Sequence, residues 1–128
     1  MTQNIPVPYD AEFQSPIPSI WRDCIIQIVE AFKDKDFERL NTLPSVQYID
    51  LAYAAEIAKN IDDYGAHLMS LAEESWHTSV CLYMENESWQ AIIDLFTVEE
   101  GRSYLILDLF IVKKKDQFIF QINNIYVP

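Results

Sequence analysis

At 128 residues, half of them hydrophobic and only two of them glycine, the chain is long enough for one buried core, too short for two, and far from the composition of disorder. Its 20 acidic against 9 basic side chains leave a formal charge of −11, which makes nucleic acid and anionic membrane poor partners and a basic protein a better one. No stretch approaches the roughly 20 apolar residues of a membrane span, and the N-terminus lacks a basic start followed by an apolar run, so a cytoplasmic, non-exported protein is expected.

Residues 1–18 carry Pro6, Pro8, Pro16 and Pro18, which fix φ and remove backbone donors, so this arm is expected to be extended or irregular. Its Ile5, Val7, Tyr9 and Phe13 suggest that it packs along a single domain spanning residues 19–128. Ser19 is a candidate N-cap. Ile20, Trp21, Cys24, Ile25, Ile28, Val29 and Phe32 then recur on one helical face, and that helix is expected to stop near Lys33 to Lys35. Asp36, Phe37 and Leu40 read as a short turn or helical piece before Pro44. A second main helix follows, Leu51 to Tyr64, with Asp50 as its cap and Gly65 just past its end. Its apolar stripe is Leu51, Ala54, Ala55, Ile57, Ala58, Ile61 and Tyr64.

From Ser79 the period changes to alternation, and four strands are expected: Ser79 to Met84, Trp89 to Thr97, Ser103 to Val112, and Gln117 to Val127. Short polar connections make them an antiparallel meander. The fold class is therefore α+β, two main N-terminal helices and short helical pieces on one face of a four-stranded sheet. Ala91, Ile93 and Leu95, with Leu105, Leu107, Leu109 and Ile111, are assigned to the covered face. Gln90, Ile92, Asp94 and Phe96, beside Tyr104, Ile106, Asp108 and Phe110, form the other. That face is too apolar to be bare, and its cover could be the arm, a second copy in a homodimer, or a different partner.

The chemistry-bearing residues are few. Two glycines cannot build a phosphate-binding or dinucleotide loop, and neither His67 nor His77 lies in a nucleophile–base pattern, so no catalytic residue, enzyme activity or cofactor is assigned. Glu73 and His77 would share a helical face, but an acidic solvated turn is the commoner reading and no metal is assigned. Asp94 and Asp108 could form a carboxylate pair with Arg102 or a partner's cation between them, although separate structural hydrogen bonds are the favoured reading. Glu99, Glu100, Gly101, Arg102 and Ser103 make the densest charged turn. Lys113 to Lys115 make a second, solvated one. Cys24 and Cys81 have no partner at a zinc or redox spacing and read as buried thiols.

Trp21 and Ile25, Asp36-Phe37, Asp63-Tyr64-Gly65, Trp76, the run from Asp94 through Thr97 to Ser103, and the closing Tyr126-Val127-Pro128 resemble a family of short uncharacterised bacterial proteins carried as a domain of unknown function. The resemblance covers about residues 19–128; an acidic residue often follows the Ser103 position in that family, where this chain has Tyr104. Size, acidity and bacterial setting are similar to those of immunity proteins. This likeness implies a basic toxin as partner, met by Asp94, Phe96, Glu99, Glu100, Arg102, Tyr104, Asp108 and Phe110. The helix pair on a curved sheet is also similar to the cone-shaped nuclear-transport-factor-like fold, which implies, as the alternative, a small-molecule-binding or enzymatic pocket between helices and sheet lined by Trp21, Tyr64 and Trp76, with Asp94 or Asp108 as base or orienter.

Overall fold

The computed structural model describes residues 4–128. Its elements run β1 (Ser15–Pro16), α1 (Ser19–Lys33), α2 (Phe37–Leu40), α3 (Leu51–Tyr64), α4 (Ser75–Thr78), β2 (Val80–Tyr83), β3 (Ser88–Thr97), β4 (Gly101–Lys114) and β5 (Gln117–Tyr126). The sheet is antiparallel in the order β1-β2-β3-β4-β5, so it has five strands and not four. The additional strand comes from the proline-rich arm: Ser15 pairs with Cys81 and Pro16 with Val80. A two-residue strand carries no alternation, and a proline is tolerated there because the position is a sheet edge.

The helix ends follow local chemistry. Asp50 caps α3, its Oδ1 accepting from the Ala52 N–H at 2.8 Å, and Gly65 ends it in the left-handed region at φ +88°. Ser19 does not cap α1, because it is already the first helical residue. It is instead the anchor of the arm: its N–H donates to the Ile5 carbonyl at 3.0 Å and its Oγ accepts from the Ile5 N–H at 2.8 Å.

One core lies between α1, α3 and the inner sheet face. Trp89, Ala91, Ile93, Leu95, Leu105, Leu107, Leu109 and Ile111 face Trp21, Ile25, Ile28 and Val29 of α1 and Ala54, Ile57, Ala58 and Ile61 of α3. Each fully buried leucine or isoleucine contributes roughly 1.5–3 kcal/mol by leaving water. Trp21 fills the centre, edge-on to Trp89 and Phe118 at 5.5 Å each. Three residues expected on apolar stripes lie outside: Ile20, 69% exposed, and Leu51 and Ala55 on the solvent side of α3. Burial raises the thiol of Cys24 to about 11 and that of Cys81 to about 12, and both are free of disulfides. Among the described residues no helix is long and apolar enough to cross a membrane.

The outer edge of β5 and the end of β3 beyond β2 are both tied down. Ser45 and Gln47 exchange backbone hydrogen bonds with Phe120 on the far side of β5, at 2.7 and 2.8 Å. Beyond the point where β2 begins, residues 67–69 take over the free edge of β3: Val98 donates to the His67 carbonyl and Met69 to that of Phe96, each at 2.9 Å. These pairings satisfy backbone groups that an open edge would leave for another chain.

Candidate functional site

The hairpin of β3 and β4 positions most of the residues singled out by sequence. Thr97 pairs with Gly101, which leaves a three-residue loop closed by Gly101 at φ +74°. A few residues on, the register slips, because Ser103, Tyr104 and Leu105 all lie opposite Leu95. Ser103 Oγ accommodates the excess by donating to the Leu95 carbonyl at 2.8 Å and accepting from the Leu105 N–H at 3.1 Å. The bulge throws Tyr104 outward to 74% exposure.

The charged turn is already engaged from within the chain. Glu99 accepts from the backbone N–H of His67 at 2.8 Å and meets its Nδ1 at 2.6 Å; this side-chain hydrogen bond, with the backbone one, holds the Glu99 carboxyl below its usual range. Glu100 accepts from the Tyr64 hydroxyl at 2.6 Å, which raises the tyrosine's pKa, and Tyr64 Oη in turn accepts from the Tyr104 N–H at 3.2 Å. Arg102 turns back to Asp94, Nη2 to Oδ2 at 3.4 Å.

Asp94 and Asp108 lie on the same face but form no carboxylate pair, since Asp94 sits across from Ile106 and Asp108 across from Ile92. Asp94 joins a network with α4: its carboxylate accepts from Thr78 Oγ1, its N–H donates to Ser79 Oγ at 2.9 Å, and its carbonyl accepts from Ser75 Oγ at 2.6 Å. Phe96, expected on the open face, is buried, because the 67–69 segment crosses the end of β3 and ends the alternation there.

The rest of the outer face is open. Val80, Leu82, Ile92, Phe110, Val112 and Ile119 are half-buried, and none belongs to the core cluster. The arm does not cover them; it runs along the core side, where Pro8 accepts from Trp89 Nε1 at 2.7 Å and the Tyr9 ring packs at a tilt against Tyr83, 5.3 Å between centroids. Asp108 lies among these residues, with Ile92 on one side and Asn124 on the other. Its Oδ1 accepts from Gln90 Nε2 at 3.2 Å and Asn123 Nδ2 at 3.5 Å. Among the described residues its Oδ2 has no protein partner and its charge no counter-ion, while Phe110, two residues on, stands between Gln90 and Gln121.

The three aromatic residues expected to line one pocket are dispersed. Trp21 is enclosed in the core, Tyr64 holds Glu100, and Trp76 lies under the Arg22 guanidinium. Among the described residues no group of three or more His, Cys, Asp or Glu side chains could hold a metal ion. Sequence reasoning missed His67 and Tyr64 as holders of the turn, and Gln90 and Asn123 as holders of Asp108. Their partners are distant in sequence, and amide side chains on a strand carry no local signature.

No curated protein and no solved structure matches the chain. Residues 29–128 match the family described as domain of unknown function DUF7668. That span takes in the last third of α1 and everything after it, the open face and Asp108 included, and the chain belongs to this family.

Proposed function

We propose that the chain is a non-catalytic binding protein that receives a basic protein on the outer face of β2 to β5. The observation that carries this reading is Asp108: a half-buried carboxylate between Ile92 and Asn124 on a face that also carries Phe110 and Val112, oriented by two neutral amides through one oxygen, with no partner for the other oxygen among the described residues. A half-buried charge without a counter-ion is costly, and a lysine or arginine arriving from a partner relieves that cost at the centre of an apolar contact. The net charge of −11 would accelerate the encounter with a basic protein. A second copy fits less well, because it would bring a second acidic molecule and a second Asp108 to the same face.

Within this reading the Glu99 to Arg102 turn supports the site and does not contact the partner, since its carboxylates are taken up by His67 and Tyr64. An immunity-type inhibitor of a basic toxin has the required chemistry. A pocket domain of the cone-shaped nuclear-transport-factor-like type is less well supported, as Trp21, Trp89 and Phe120 fill the space between helices and sheet where its ligand would sit.

The test is co-expression with basic proteins encoded beside the gene, with light scattering on the purified chain. A monomer that forms a one-to-one complex with such a protein is expected. A stable homodimer that buries this face would overturn the reading.

A further inference from the structure

A second site lies at the β1–β2 edge of the sheet, where the arm, the start of α1 and α4 border a groove of about 610 Å³. That volume is typical of small-ligand pockets, about 300–1,000 Å³. Ile5, Pro16 and Val80 give it apolar walls, and Trp76 and Arg22 share its lining.

Arg22 is the unusual member. Its Nε and Nη2 both donate to the Ile17 carbonyl, at 3.1 and 3.0 Å, and its guanidinium carbon lies 5.0 Å from the centroid of the Trp76 ring. These contacts fix the side chain but use a minority of its five donors. Of the three arginines in the chain, Arg39 pairs with Asp34 and Arg102 with Asp94, whereas Arg22 has no carboxylate partner among the described residues. In a chain with 20 acidic side chains against 9 basic ones, a half-buried guanidinium held in place and left without a counter-ion stands out. Glu73 lines the same groove without forming an ion pair with it.

We infer that this groove binds a small organic carboxylate with an apolar body, the carboxylate accepting from the remaining Arg22 donors and the body lying against Trp76, Ile5 and Val80. A guanidinium fork matches a carboxylate in two parallel hydrogen bonds, and the cation–π contact with Trp76 and the bonds to Ile17 hold that fork in place. The groove shares Val80 with the outer face, but the inference rests on Arg22 and not on Asp108, so it survives the failure of that reading.

The probes are 3-phenylpropionate and phenylalanine, with phenethylamine as the matched cation lacking a carboxylate, followed by ligand-observed NMR and tryptophan fluorescence. The two carboxylates are expected to bind and the amine not to. Arg22→Gln, shown by circular dichroism to be folded, is expected to weaken binding at least tenfold, and Glu56→Gln, on the exposed side of α3, to leave it unchanged. If Arg22→Gln does not fold, Gln14→Trp, which narrows the groove without touching the Arg22 contacts, takes its place with the same expected loss. Failure of both carboxylates to bind, equal binding of the amine, or undiminished binding by the deciding variant overturns the inference.

Discussion

Glu99 grips His67 twice, through the backbone N–H at 2.8 Å and through Nδ1 at 2.6 Å, and so fastens the β3–β4 turn to the segment that follows α3. Because these contacts lower the folded-state pKa of Glu99, their contribution to stability is fully present above its unfolded value and is lost as pH falls through the folded one. Glu99→Gln is therefore expected to lower Tm at neutral pH, with the gap to wild type closing in acid below the ordinary glutamate range. Thermal melts across pH check this, and a gap that widened in acid would contradict it.

Neighbouring isoleucines on β3 point to opposite sides of the sheet. Ile93 is fully buried in the core, and truncation to alanine is expected to cost about 2–5 kcal/mol. Ile92 lies half-exposed on the outer face, and the same truncation is expected to cost less than half as much. Urea denaturation of the two variants measures the difference directly.

Gly65 and Gly101 adopt left-handed backbone at φ +88° and +74°, and a methyl group added at either meets nothing within 4 Å. The penalty for alanine is then one of backbone conformation alone, roughly 1–2 kcal/mol at each position. Asparagine, which tolerates this region better, should recover part of the loss at Gly65; equal stability of Gly65→Ala and wild type would contradict the account.

Ile17, Trp21, Ile25 and Ile28 are all fully buried, yet all precede residue 29, where the family match begins. A fragment of residues 29–128 is accordingly expected to lack a cooperative thermal transition, while residues 4–128 retain one. Calorimetry on the two fragments decides the matter.

What could be read in the sequence was what local periodicity encodes. The alternation in β3 and β4 assigned Ile93, Leu95, Leu107 and Leu109 to the core, and Asp50 and Gly65 marked the ends of α3, because a cap and a left-handed residue act on their own neighbours. The β1 strand was invisible, as two residues have no period and a proline argues against a strand. Phe96 followed the alternation on paper and departs from it because a segment some 28 residues earlier crosses that end of β3. For the site, Asp108 and Phe110 could be placed on the right face from parity alone. That Glu99 and Glu100 are occupied could not, since His67 and Tyr64 come from another part of the chain.

The central claim concerns Asp108, and affinity for the basic partner is its most direct measure. Dissociation constants are to be determined by calorimetry at two salt concentrations for wild type, Asp108→Lys, Phe110→Glu, and a control, Glu56→Lys, on the exposed side of α3. The account predicts that both face variants bind at least tenfold more weakly while the control stays close to wild type, with affinity falling as salt rises. Undiminished binding by Asp108→Lys and Phe110→Glu would contradict it.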